Sequence, residues 1–129
     1  MQLGILLAGI FGLSALILDA IGSHALSGYL IISQDEMNLV KQSWQTATKS
    51  QLVHALLLVY FSGMQLKQKQ WNLALGQVLI VLGVILFCGG IYMKILTGIG
   101  YVGRLAPFGG VCFMLSWICL IVSAFRVPK

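Results

Sequence analysis

Apolar residues fall in four long runs, at about 3–22, 50–66, 73–94 and 105–125, with a long connection between the first two and shorter ones after them. Three of the runs reach the ~20 residues that carry a helix across a hydrocarbon core; the second is shorter, and lengthens if its helix begins near Ala47. In lipid every backbone polar group needs a partner within the protein, so the spanning element is a helix or a strand of a closed barrel. Nothing alternates with period two over ten residues, which excludes the barrel. The pattern predicts an all-α integral membrane four-helix bundle, one four-span domain over residues 1–129. No Lys or Arg precedes the first run and Asp19 interrupts it, so it reads as a retained span and not as a cleaved signal.

Between the first two runs, Ser33-Gln34-Asp35-Glu36 reads as a capping box, with Ser33 as N-cap and Glu36 reaching back to it. Met37, Val40, Trp44 and Ala47 then recur on one helical face, with Lys41, Gln45, Thr48 and Lys49 opposite. This predicts an amphipathic interfacial helix at about 34–48 with Trp44 at headgroup depth. The Thr97–Arg104 connection contains Gly98, Gly100 and Gly103 and reads as a turn. Pro107 sits in the first turn of the last span, where its missing N–H costs little.

Small residues follow helical spacing within the runs. Gly76, Gly83 and Gly90 repeat every seven, and Gly109, Cys112, Ser116, Cys119 and Ser123 step by three and four. Close backbone approach through such residues is the main source of helix contact in lipid, so these positions are predicted packing seams with left-handed crossings. Gly4, Ala8 and Gly12 step by four in the first run and serve either the bundle or a homo-oligomer face.

Composition agrees with this placement. Of 129 residues, 59% are hydrophobic and 9% charged, where a soluble domain carries about 25% charged residues. Such a chain cannot cover itself with polar surface, which rules out a soluble globule, a disordered tail and a nucleic-acid binder. The formal net charge of +5 comes from eight scattered basic residues. Four spans put both termini on one side with the Lys67–Trp71 turn (side one), and the two longer connections on the other (side two). Each side carries four basic residues, so the positive-inside rule is balanced. Side one is unmixed while Asp35 and Glu36 lie on side two, which favours side one as cytoplasmic.

Ionisable residues in or near spans are the default functional candidates. Alternating helix direction brings Asp19, His24, His54, Lys94 and Arg104 to the side-two end, and predicts one polar layer there. As a working site it would be a proton-linked or anion-binding pocket, with Asp19 paired to Lys94 or Arg104 and two titrating histidines. As a clasp it would neutralise Asp19 and let Lys94 snorkel to the interface. Two histidines could ligate haem, but no attachment motif is present. A metal needs three or four ligands and only His24, His54 and Asp19 are offered. No metal or other cofactor is expected. No nucleophile–base set or phosphate loop is recognisable, and three carboxylates in all starve most hydrolytic mechanisms; a non-enzyme is expected.

Several motifs resemble one family. Gly22-Ser23-His24-Ala25-Leu26 is similar to the G-A-H-A-L motif of the YgdD-like small membrane proteins, a family catalogued as a domain of unknown function with eukaryotic relatives. Trp44-Gln45-Thr46-Ala47 followed by Gln51 and His54-Ala55-Leu56 resembles its W-x-T-A-x-x-Y-Q-x-x-H-A-L element. Leu86-Phe87 with Gly89 and Tyr92 is similar to F-S-G-S-L-Y, and Pro107-Phe108-Gly109-Gly110 with Trp117 to P-x-G-G followed by tryptophan. Ser50 stands where the family has Tyr, and Ser116 where it has Gly; Asp19 and Lys94 are not family markers. The resemblance implies a multi-pass inner-membrane protein with cytoplasmic termini and no established activity. The expected role is support of envelope integrity or of a membrane complex; the alternative is an oligomeric transporter or channel subunit for a proton or small anion. The partners expected are the lipid bilayer and either further copies of the chain or another membrane protein.

Overall fold

The computed structural model describes residues 2–126, and these are helical with no strands. The elements are α1 Leu3–His24, a single turn α2 Leu26–Tyr29, α3 Gln34–Lys67, α4 Trp71–Gly83, a π-helical turn Val84–Cys88, α5 Gly89–Thr97, a 3₁₀ segment Gly100–Leu105, and α6 Ala106–Ala124. The π turn joins α4 and α5 into one rod, Trp71–Thr97. That rod, Leu3–His24 and Gly100–Ala124 are each long and apolar enough to cross a membrane.

The interfacial helix expected at about 34–48 is not a separate element but an N-terminal extension of the second span. Residues 34–48 are the first half of α3, a continuous 34-residue helix of about 50 Å at 1.5 Å per residue. Its start is the capping box read from the sequence: Ser33 Oγ accepts from the Glu36 amide at 3.3 Å, and the Glu36 carboxylate accepts from the Ser33 amide at 3.1 Å. No proline and no glycine before Gly63 interrupts it, and it ends at Gln68, whose extended backbone turns the chain into α4. At the other connection Gly98 adopts φ 72°, the left-handed cap that L side chains avoid, and its amide returns to the Lys94 carbonyl at 2.9 Å.

α3 is the central helix. α1 packs antiparallel along it, with Gly4 against Ser62 at one end and Gly22 against the Trp44 indole at the other. The face α1 turns inward carries Ala8, Ala15 and Gly22, repeating every seven. The Gly4 and Ala8 steps therefore belong to the internal seam with α3. The opposite face of α1 exposes Leu6, Ile10, Leu13 and Ile17, a continuous apolar surface suited to lipid.

The α4–α5 rod lies on another side of α3, and α6 packs along the rod and also onto α3 at His54. Gly76 accepts the Phe61 ring of α3: an added Cβ would lie 2.9 Å from it. Gly83 faces Phe113 and the Gly109 carbonyl of α6, Gly90 faces the Val102 carbonyl, and Gly109 rests on the Phe87 backbone. The heptad of glycines thus lines a crease between two neighbours, not a seam with one. Ser116 is fully buried, Cys119 is buried and Cys112 half-buried on the inner side of α6. The core is Trp44, Leu58, Phe61, Leu73, Ile80, Cys88 and Phe113.

Candidate functional site

Four of the buried polar side chains are strung along α3, while Asn72, Ser116 and Ser123 lie on α4 and α6. Thr48, Gln51, His54 and Ser62 are all buried, on the face turned to the other helices. Each finds a partner. Thr48 Oγ donates to Asp19 Oδ1 of α1 at 3.0 Å or to the Gln45 carbonyl of its own helix at 3.1 Å. The Gln51 amide donates to the Phe11 carbonyl at 2.9 Å and to Ser14 Oγ at 2.7 Å, and its oxygen accepts from the Tyr92 hydroxyl at 2.9 Å. One side chain therefore ties α1, α3 and α5 together. Ser62 Oγ donates to Gln77 Oε1 at 3.2 Å.

His54 is held from two directions. Nδ1 meets the Ser50 carbonyl at 2.7 Å and Nε2 meets the Trp117 indole nitrogen at 3.1 Å. A carbonyl only accepts and an indole N–H only donates, so the partners assign the proton to Nδ1 and the lone pair to Nε2. The imidazole stacks on Phe113, with centroids 3.6 Å apart and planes at 13°. Trp44 repeats the arrangement towards side two: its indole N–H donates to the Leu18 carbonyl at 2.6 Å, its ring packs on Tyr92, and Gly22 provides the space it fills.

The residues that carry the motifs thus meet in pairs, Gly22 with Trp44 and His54 with Trp117. A family signature described as "Protein of unknown function (DUF423)" matches residues 18–110. The chain belongs to the DUF423 family. It is similar to the UPF0382 membrane protein SAB0533 of Staphylococcus aureus (strain bovine RF122 / ET3-1), 33% identical over 126 residues and covering 98% of each chain. It is 31% identical over 131 residues to the UPF0382 membrane protein YwdK of Bacillus subtilis (strain 168), again covering 98% of both. No solved structure matches. The DUF423 signature takes in Asp19, Gly22, Trp44, Gln51, His54 and Tyr92, while Trp117 lies beyond it. As a DUF423 member with relatives of this kind, the chain is a membrane protein with several apolar helices.

The five residues of the expected side-two layer do not form one cluster in this DUF423 chain. Asp19 is half-buried and its hydrogen-bond partner is Thr48. His24, Lys94 and Arg104 are exposed at the side-two end, and no ion pair forms among the described residues. His54 is far from His24. Gly22 is level with Trp44 and Gly12 with Ala55, so His54 lies about 15 Å deeper than Trp44 by helical rise, near the middle of α1. The physical reason is the continuity of α3. The sequence places its membrane entry next to Gln51, whereas packing against α1 carries the turns bearing Thr48 and Gln51 inside the bundle. Among the described residues no group of three His, Cys, Asp or Glu side chains is placed to hold a metal.

Sequence reasoning singled out Gln51 and His54, passed over Ser14 and Phe113, and put Thr48 on the polar outer face of an interfacial helix, whereas packing of α3 against α1 buries it on Asp19. The available signal is spacing: Thr48, Gln51, Ala55, Leu58 and Ser62 step by three and four, one face of one helix. The predicted family-motif residues Pro107, Gly109 and Gly110 serve the start of α6, where only Gly109 makes a backbone-close contact.

Proposed function

We propose that this DUF423 protein is a non-enzymatic, four-span protein of the inner membrane that supports envelope integrity or a membrane complex. The observation that carries the reading is the disposition of polar groups along α3. Thr48, Gln51, His54 and Ser62 each clamp a neighbouring helix. Between His54 and Ser62, Leu58 and Phe61 are completely buried and interrupt the polar file along α3. A pore or proton path needs polar continuity from side to side; the α3 file breaks at these two side chains, and the other buried polar groups, Asn72, Ser116 and Ser123, donate to backbone carbonyls within the bundle. The likeness of its motifs to YgdD-like proteins supports the inner-membrane placement alone.

The fourth crossing is α3, because it runs antiparallel to α1 from Gly4–Ser62 to Gly22–Trp44; a membrane that holds α1 also holds that length of α3. Both termini then lie on side one, which we assign to the cytoplasm from its unmixed basic charge. Reporters active on one side only, fused at the C-terminus, test the topology.

Two measurements test the role. Protein reconstituted in vesicles loaded with a pH-sensitive dye should add no proton or anion flux to that of empty vesicles, and copurification from native membranes in mild detergent should give a stoichiometric partner. Flux above the empty-vesicle rate would overturn the proposal in favour of the transporter reading. A lone chain whose deletion leaves envelope sensitivity unchanged would overturn it as well.

A further inference from the structure

The cation of the expected polar layer is left without its carboxylate. Lys94 lies in the last turn of α5 and is exposed, while Asp19 accepts its hydrogen bond from Thr48. Among the described residues no carboxylate lies within ion-pair distance of Lys94. Its stem is nevertheless positioned. Gly103 forms a saddle beneath it: a Cβ added there would lie 2.6 Å from Lys94 Cδ and 3.4 Å from Cγ. Beside this saddle is a groove of about 520 Å³ between the first half of α3, α5 and the start of α6. Its walls include Val40, Ile91, Ile95 and Pro107, and its polar groups are Lys94 and the hydroxyls of Ser43 and Thr46. Thr46 donates to the Gln42 carbonyl of its own helix.

We infer that this groove is a binding site for an anionic phospholipid, with Lys94 holding the phosphate diester and the apolar walls holding the first carbons of an acyl chain. Three features point to this occupant. The charge is complementary, since one unpaired ammonium stands at the groove. Its depth is that of headgroups: Lys94 is one turn from Gly98, which caps the end of the membrane-spanning rod. The volume lies in the range of ordinary small-molecule sites, and Leu39 in the groove wall is exposed, so an acyl chain continues from the groove onto the apolar protein surface. A soluble anion would satisfy Lys94 and leave the apolar walls unfilled.

The test uses the full chain in neutral detergent, with binding read by native mass spectrometry and by the shift in thermal unfolding. Dioleoyl-phosphatidylglycerol should bind and raise the unfolding temperature; phosphatidylcholine with the same chains and inorganic phosphate at equal concentration should do neither. Lys94→Gln should weaken the phosphatidylglycerol affinity roughly tenfold, the size of one charge-assisted hydrogen bond. Gly103→Ala, which displaces the lysine stem without removing charge, should weaken it in the same direction. Arg104→Gln removes an exposed neighbouring charge outside the groove and should leave affinity within about twofold, as for a screened surface charge. Equal losses for Lys94→Gln and Arg104→Gln would mean a diffuse basic surface and would overturn the site. Equal binding of phosphatidylcholine, or full competition by inorganic phosphate, would overturn the assigned ligand. If Gly103→Ala unfolds, Lys94→Gln alone decides, because its side chain is exposed and its loss leaves the fold intact.

Discussion

The indole N–H of Trp117 donates to Nε2 of His54 at 3.1 Å, across from α6 to the central helix. Removing one partner leaves the other without a bond at a depth where water is scarce. Trp117→Phe keeps an aromatic ring and deletes the donor, and should lower stability by about 0.5–1.5 kcal/mol, the range of interhelical hydrogen bonds in membranes. Unfolding in mixed micelles measures it. A double-mutant cycle with His54→Ala should be non-additive by a similar amount; strict additivity would mean that the two side chains do not communicate.

Gly22 and Trp44 make a tight fit between α1 and α3. An added Cβ at Gly22 would enter the indole ring, so Gly22→Leu should cost about 1–3 kcal/mol or more through overpacking. Gly9 is the control on the same helix. A Cβ there meets nothing within 4 Å, and Gly9→Leu should leave the unfolding temperature unchanged or slightly higher. Equal damage from the two substitutions would show that the inner face of α1 is misassigned.

How far the sequence reveals this fold depends on which way a polar residue faces. α1, the α4–α5 rod and α6 present apolar side chains outward, so their runs of Leu, Ile and Val read directly as spans. α3 does the reverse along part of its length. Thr48, Gln51 and His54 point at α1, α5 and α6, and they depress the apparent hydropathy of the central helix. The same residues moved the expected membrane entry towards Gln51 and made His54 look like a neighbour of His24. The capping box was legible because its two partners are three residues apart. The Gln51–Tyr92 and His54–Trp117 bonds join residues 41 and 63 positions apart, and no local pattern encodes them. The π turn at Val84–Cys88 likewise has no mark in its sequence.

The start of α3 should respond to acid. Hydrogen bonds from the Ser33 backbone and hydroxyl to the Glu36 carboxylate hold it below the usual carboxylate range. A carboxylate with a lowered folded pKa stabilises above its ordinary pKa, and that contribution is lost as pH falls through the lowered value. Amide hydrogen exchange, corrected for intrinsic rates, should show protection at Ser33 and Glu36 near pH 7 and its loss in the acid limb. Glu36→Gln should flatten this dependence at Ser33, and an unchanged acid limb in that variant would place the titrating group elsewhere.

Gln51 provides the sharpest separation between a clamp and a working site. It is buried, and its side chain serves Phe11, Ser14 and Tyr92 at once. Gln51→Leu leaves the buried Tyr92 hydroxyl without its acceptor, which should cost about 1–3 kcal/mol. Tyr92→Phe strips the hydroxyl from the other side and should cost less, because Gln51 keeps its two donor bonds to α1. In the double variant no donor is stranded, and apolar pairs of similar shape are close to neutral. Stability should therefore recover relative to Gln51→Leu alone. If the node is only a clamp, envelope resistance in cells should recover with stability. If the node handles a proton or an anion, stability should return while the phenotype stays lost, and the proposed supporting role would give way to transport.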